Sequence, residues 1–232
     1  MIAMESERGR FAGLVLAQLF FIFLTPFFGE SGQGLIVLYV GVFAILAAGL
    51  YTASDNRREF GISMLFLLPV LFAWTGPDLF SELVDEELRL LTPAAAFVFT
   101  SLVVARDVAR HERVTSNTLL GAINVYLLIA FSFTFVHAGI MVYESGAYTV
   151  AGVPLRDSLR NSPDPRGLAT MLYFSFTTMT TLGYGDIVPV GPMARLLTSF
   201  QSVLGQLFVA IIIGRLVGLE VSARTQVAKE EG

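Results

Sequence analysis

The 232-residue chain has no cysteine, a single lysine (Lys229) and few charged side chains, which make up 15% of it. Without cysteine, neither a disulfide nor a thiolate metal site can form. A net charge of −4 excludes the basic surface on which nucleic-acid binding depends. Hydrophobic residues, in contrast, make up 54% of the chain. This composition is typical of an integral membrane protein.

Six charge-poor apolar runs come close to the roughly 20 residues that cross a bilayer as a helix. They cover residues 11–28, 34–51, 60–75, 88–105, 117–143 and 192–219. A further apolar segment, 171–181, is too short to cross and leads into a glycine-containing loop. Non-helical backbone at membrane depth is tolerated only where protein or water shields it. We therefore predict an all-α integral membrane fold with six transmembrane helices, one re-entrant helix and a shielded loop.

Arginines cluster at alternate ends of the predicted spans. They lie before the first span, between the second and third, between the fourth and fifth, and after the sixth, at Arg8, Arg10, Arg57, Arg58, Arg106, Arg110, Arg113 and Arg224. The other connections are neutral or, at residues 78–87, acidic. Because basic residues favour the cytoplasmic side, we expect a cell-membrane protein with both termini in the cytoplasm. The first run could instead be a signal peptide, but no small-residue cleavage pattern follows it.

The segment 180–186, TTLGYGD, is the most informative motif in the chain. An ion that enters a medium of low dielectric loses hydration worth about 20 kcal/mol. Successive backbone carbonyls can replace that water if the chain adopts conformations that L-residues resist. Gly183 and Gly185 can adopt them without a Cβ penalty. This pattern indicates a loop that binds a bare cation.

Residues 172–189, LYFSFTTMTTLGYGDIVP, resemble the tetrameric potassium channel family, and the resemblance extends over about 117–219. It implies a re-entrant pore helix and a selectivity-filter loop, here residues 180–186, in a homotetramer. The carbonyls of Thr181, Leu182, Gly183 and Tyr184 would bind K⁺, with the Thr181 hydroxyl as a further ligand and Gly185 at the outer mouth. Leu182 stands where the family more often has valine or isoleucine.

The resemblance also implies a set of supporting residues. Tyr173 is expected to hydrogen-bond Asp186 behind the filter; the alternative is that Asp186 lies in solvent. Thr177 and Thr180 are expected to support the filter as well. Gly205 is a candidate gating hinge, with close helix packing as the alternative.

Several other polar residues have two interpretations. Asp164 and Pro165 are predicted to start the pore helix. His137 is a hydrogen-bonded packing residue or a proton-sensitive group, and Arg215 extends to the interface or contacts a gate. Gln201 and Gln206 are expected to face protein or a cavity rather than lipid. The acidic segment 78–87 is a solvated loop or an amphipathic stretch on the membrane surface, with divalent-ion binding or proton sensing as the alternatives.

Voltage sensing is not expected of the first four spans. A sensor needs several arginines within the membrane, because each charge contributes about 2.3 kcal/mol per 100 mV. Residues 91–105 contain none, and Arg106, Arg110 and Arg113 share a helical face only at the cytoplasmic end. We interpret these arginines as topology anchors.

The predicted organisation is a cytoplasmic N-terminus (1–10), a four-helix membrane domain (11–113), a pore domain (114–219) and a short tail (220–232). The predicted function is passive, selective conduction of K⁺, which is the permeant ion and not a cofactor. The alternatives are a weakly selective cation channel and a secondary transporter, although no internal repeat is visible. No enzyme is expected, since no catalytic cluster is evident. Because only 220–232 follow the last span, we expect any regulator to act on the spans, on lipid or through another chain rather than on a ligand-binding domain in the tail.

Overall fold

The computed structural model describes residues 10–28, 34–53, 86–110, 115–159 and 167–230. The helices in these ranges are α1 (Arg10–Phe28), α2 (Gly34–Ala53), α3 (Glu86–Arg110), α4 (Ser116–Tyr143), α5 (Leu155–Ser158), α6 (Leu168–Met179) and α7 (Pro192–Glu230). The strands are β1 (Tyr148–Val150), β2 (Val153–Pro154) and β3 (Ile187–Pro189). The chain is therefore mostly helical, as the sequence predicts.

Within these ranges, three helical segments are long and apolar enough to cross a membrane: Arg89–Arg110, Asn117–Tyr143 and Pro192–Arg215. Phe11–Thr25 and Val40–Gly49 are shorter apolar helices. The predicted third span, 60–75, lies outside the described residues. Two helix ends differ from the prediction, since α3 begins inside the segment expected to be an acidic loop and α7 continues beyond 219.

Helix α3 contains Pro93, which has no N–H to donate to the carbonyl four residues earlier. The Thr92 hydroxyl donates to that carbonyl, Arg89 O, at 2.9 Å and replaces the missing bond. One residue later, the Ser132 hydroxyl of α4 donates to Ala94 O at 3.1 Å. The proline is thus accommodated inside the helix, and α3 is joined to α4 at the same level.

The core between α3 and α4 is aromatic. Phe97 is completely buried, and its ring stacks on Phe131 at 5.5 Å and on Phe135 at 5.7 Å between centroids. Helix α1 is tied to α4 by the Asn124 amide, which donates to Phe11 O at 3.0 Å. At Gly121 a Cβ atom would overlap Val108, so the glycine permits the close approach of α4 to α3.

Two strands between α4 and α6 and a third strand after the filter loop form a small antiparallel sheet that the sequence did not predict. The strand order is β2-β1-β3, and the turn from β1 to β2 has positive φ at Ala151 and Gly152. Such a two-residue turn matches the twist of a hairpin. In the β1–β3 ladder Tyr148 pairs with Pro189, so the sheet binds the strand that leaves the filter loop to the end of the outer helix α4.

Arg215 of α7 contacts the end of α3. Its guanidinium donates to Val108 O at 3.1 Å and to Ala109 O at 3.2 Å. These are carbonyls of the last helical turn, which lack partners within the helix. Arg215 therefore caps α3, a role that differs from both of the alternatives proposed from the sequence.

Candidate functional site

The filter loop follows directly from the C-terminus of α6. The amide N–H groups of Leu182 and Gly183 both donate to the carbonyl of Thr177, at 2.9 and 3.2 Å. The chain has no cis peptide bonds among the described residues, and in a trans peptide the C=O points opposite to the N–H. The carbonyls of Thr181 and Leu182 therefore point away from α6. One face of the loop is attached to the pore helix and the opposite face presents carbonyl oxygens.

The backbone of the loop is left-handed at every second residue. φ is +58° at Thr181, +50° at Gly183 and +78° at Gly185. Glycine adopts this region without penalty, as the sequence analysis expected for Gly183 and Gly185. Thr181 was not expected to adopt it, because a β-branched residue with positive φ is a genuine outlier.

The side chain of Thr181 has two hydrogen bonds that help to hold this conformation. Its hydroxyl donates to Thr180 O at 2.7 Å and accepts from the Gln206 amide of α7 at 3.1 Å. Gln206 therefore contacts the protein at the inner end of the filter loop.

The predicted supporting threonines act through their backbones more than their side chains. The Thr177 hydroxyl donates to Phe174 O at 3.0 Å and the Thr180 hydroxyl to Phe176 O at 2.8 Å, both within one helical turn. The contact between Thr177 and the loop is made by its carbonyl, which accepts from the Leu182 and Gly183 amides.

Tyr173 and Asp186 are brought together on the outer side of the loop. The interaction with the Asp186 carboxyl group raises the pKa of the Tyr173 phenol above its usual value. Tyr173 of α6 therefore lies close to the residue that follows the filter loop.

The start of the pore helix differs from the prediction. Helix α6 begins at Leu168 with Gly167 at the N-cap position, where φ is +60°. The prediction that Asp164 caps this helix is therefore wrong, and Asp164 itself lies outside the described residues. A Cβ atom at Gly167 would lie 2.6 Å from Leu159 and 3.0 Å from Met141, so glycine is also required by close packing.

The last carbonyls of α6 find partners on the two flanking helices. The Tyr126 hydroxyl of α4 donates to Met179 O at 3.0 Å, and the Ser202 hydroxyl of α7 donates to Thr178 O at 3.3 Å. Sequence reasoning missed both residues. Helix C-terminal carbonyls are known to need donors, but nothing local in the sequence indicates which distant hydroxyl supplies them.

Gly205 of α7 lies next to the carbonyl of Met179. A Cβ atom there would overlap Met179 O, and helix α7 runs without interruption through this position. The described geometry is that of close packing between α7 and the end of α6.

Comparison with known proteins gives the same assignment as the filter motif. Residues 125–220 match the family described as "Ion channel". The chain is 29% identical to the inward rectifier potassium channel Kirbac3.1 of Paramagnetospirillum magnetotacticum over 73 residues, which are 32% of this chain and 24% of the relative. It is 57% identical to the voltage-gated potassium channel Kch of Escherichia coli K12 over 37 residues, which are 16% of this chain and 9% of the relative.

These matches support the pore-loop potassium channel family for residues 125–220. The resemblance drawn from residues 172–189 is thereby confirmed at the level of the family. The chain matches less than a quarter of the length of each curated relative. No solved structure matches it significantly. The family is one of channels rather than enzymes.

Substitution of Gly205 by alanine tests whether this residue serves close helix packing or acts as a gating hinge. In Gly205→Ala we expect the melting temperature of the assembled protein to fall, because an overpacked contact costs about 1–3 kcal/mol. Gly214→Ala is the matched control on the same helix, where a Cβ atom meets nothing within 4 Å. An unchanged melting temperature in Gly205→Ala, combined with lost channel opening, would favour the hinge.

Phenylalanine at Tyr173 tests the bond behind the filter. In Tyr173→Phe we expect several-fold faster slow inactivation and weaker K⁺ occupancy, because Asp186 loses its donor. The control is Tyr143→Phe, in which the side chain is 81% exposed at the end of α4. Recordings of current decay at fixed external K⁺ would check this. If the current decays equally fast in both variants, a Tyr173–Asp186 bond does not support the filter.

Proposed function

We propose that the protein is a potassium-selective channel in which the main-chain oxygens of Thr181, Leu182, Gly183 and Tyr184 replace the hydration shell of K⁺. The observation that carries this proposal is the loop backbone, with alternating left-handed residues and with amides turned back to Thr177. A loop of this kind offers neutral oxygen ligands in succession along one line. Such ligands suit a weakly held, rapidly exchanging cation.

One loop can surround an ion on one side only, so four copies with cyclic symmetry are proposed. The inner helix supports this arrangement. Of an 18-residue apolar stretch within Pro192–Arg215 only 11% is buried, against 61% of such a stretch within Asn117–Tyr143. Leu182 and Tyr184 of the filter are also exposed. An open cavity of about 320 Å³ between the filter loop, α6 and α7 offers space for side chains of a neighbouring copy.

The proposed subunit has six spans, with α1, α2, α3, α4 and α7 contributing five and the predicted span 60–75 the other. The proposed domains are those expected from the sequence, with the pore domain at 114–219 and both termini in the cytoplasm of a cell-membrane protein. Lipid and three further copies of the chain are its proposed partners. A regulator is not assigned.

Steep voltage gating is not part of the proposal. Arg106 and Arg110 lie in the last part of α3, and Arg110 is in its last turn. In the proposed topology this position lies outside the middle of the membrane. A voltage sensor needs its charges in the middle, because only there do they move through the electric field. The gating stimulus is left open between lipid, ligand and the weak voltage dependence of the pore itself.

The proposal is tested by reconstituting the purified protein in liposomes and planar bilayers. With K⁺ on one side and Na⁺ on the other, the reversal potential should follow the K⁺ gradient, by about 59 mV per tenfold change. An unshifted reversal potential would indicate a weakly selective cation channel. Unitary currents below the resolution of single-channel records would point to a transporter.

Gly183→Ala is the matching filter variant. A Cβ atom at Gly183 meets nothing within 4 Å, so the substitution introduces only the strain of positive φ, about 1–2 kcal/mol. We expect loss of K⁺ selectivity in an assembled protein. Gly146→Ala, with equal space and no positive φ, should behave as the wild type. Full selectivity in Gly183→Ala would contradict the role given to the loop backbone.

A further inference from the structure

Four polar side chains form a completely buried network behind the pore helix. They are His137 of α4, Tyr148 of β1, Ser175 of α6 and Gln201 of α7, and each has zero exposure. His137 Nδ1 lies 2.6 Å from the Tyr148 hydroxyl, and His137 Nε2 lies 2.9 Å from Gln201 Oε1. Gln201 Nε2 lies 3.1 Å from Ser175 O and 2.7 Å from Ser175 Oγ. The network thus joins four separate elements.

The partners fix the direction of every hydrogen bond in this network. Ser175 O can only accept, so the Gln201 Nε2 amide donates and Oε1 accepts from His137 Nε2–H. The neutral imidazole then accepts at Nδ1 from the Tyr148 hydroxyl, a phenol whose pKa is raised by burial and which stays protonated. Ser175 Oγ donates onward to Ala130 O of α4 at 2.7 Å. Each N–H and O–H in the chain of bonds has a partner.

Aromatic packing seals the network from the loop side. Phe174, the neighbour of Ser175, makes edge-on contacts with His137 at 5.1 Å and with Tyr148 at 5.4 Å between ring centroids. The His137 and Tyr148 rings are also perpendicular, at 5.7 Å. A sealed, fully satisfied polar network specifies one arrangement of its elements, because a shift of any member leaves a buried group without its partner.

The network is attached to both ends of the filter loop. On the side that precedes the loop, Ser175 lies two residues before Thr177, whose carbonyl holds Leu182 and Gly183. On the side that follows it, Tyr148 pairs through its backbone with Pro189 of β3. The two anchor points of the filter are therefore connected through His137 and Gln201.

We propose that His137 and Gln201 are positioning residues for the filter, which hold its preceding helix and its following strand at a fixed separation. This inference rests on the proposed function, because it assigns the pair an effect on ion selectivity. An apolar core of the same shape could supply comparable stability, since removal of all partners together is nearly neutral. It would lack the direction and length of the hydrogen bonds, and with them the fixed spacing.

The test separates position from stability. Gln201→Leu alone leaves the buried His137 Nε2–H without its acceptor and should lower the melting temperature of the assembled protein. The triple variant Tyr148→Phe, His137→Leu, Gln201→Leu removes the three linked polar groups together, while the Ser175 hydroxyl keeps its bond to Ala130 O, and it should melt close to the wild type. We expect the K⁺-over-Na⁺ permeability ratio of the triple variant to be roughly five- to tenfold lower than that of the wild type. A decrease of this size corresponds to the free energy of about one hydrogen bond.

Hydrogen exchange at residues 177–186 gives a readout that does not depend on conduction. The Leu182 and Gly183 amides should exchange faster in the triple variant than in the wild type. Thr100→Val is the matched control, because that buried hydroxyl donates to Ala96 O in its own helix α3, at 2.8 Å. It should leave exchange and selectivity unchanged.

A stable triple variant with wild-type exchange and wild-type selectivity would overturn the positioning role. A wild-type protein without K⁺ selectivity would instead overturn the proposed function. In that case the exchange measurement still decides the positioning role, because unchanged exchange in the stable triple variant would exclude it.

Discussion

The carbonyl of Thr177 accepts the amides of both Leu182 and Gly183, and the rest of the site depends on this pair of hydrogen bonds. Because peptides are planar and trans, the two bonds turn the carbonyls of Thr181 and Leu182 outward. The pore helix thus supplies the orientation of the filter as well as its support. The neighbouring carbonyls of Thr178 and Met179 are bonded by hydroxyls of α7 and α4, so the end of α6 is held from two sides.

Several polar side chains of other elements contact or lie close to the short helix α6 and the loop that follows it. The middle of α6 is bonded through Ser175 to Gln201, which in turn bonds His137. Gln206 contacts Thr181, the first of the four residues proposed to bind K⁺. Farther along α7, Arg215 caps the end of α3. Helix α7 therefore contacts helix α6, the filter loop and helix α3 in turn. A movement of α7 would therefore act on all three through these direct contacts.

The parts that could be predicted from the sequence depend on local chemistry. Long apolar runs predicted the helices, and the two glycines of TTLGYGD predicted where the backbone turns left-handed. The β1–β2–β3 sheet was missed, because strands of two or three residues carry no readable alternation. The N-cap was misplaced because Gly167 is selected by its neighbours Leu159 and Met141 as well as by helix chemistry.

The contacts between distant residues could not be predicted. His137 and Gln201 are 64 positions apart, and Tyr126 and Met179 are 53 positions apart. Each of these residues taken alone is compatible with simple packing. Only the fold shows that the hydrogen-bond donor of one lies next to the acceptor of the other. The positive φ of Thr181 is also a tertiary effect, since Gln206 and the Thr177 anchor hold a conformation that threonine does not favour alone.

The central claim is that the oxygens of residues 181–184 converge on one axis and bind K⁺ in place of water. A cryo-electron microscopy map of the assembled protein in K⁺, with a matched map in Na⁺, tests it most directly. The account predicts four copies around an axis and a column of density beside the Thr181 and Leu182 carbonyls that depends on K⁺. A lone subunit, or carbonyls directed away from the axis with no such density, would contradict it.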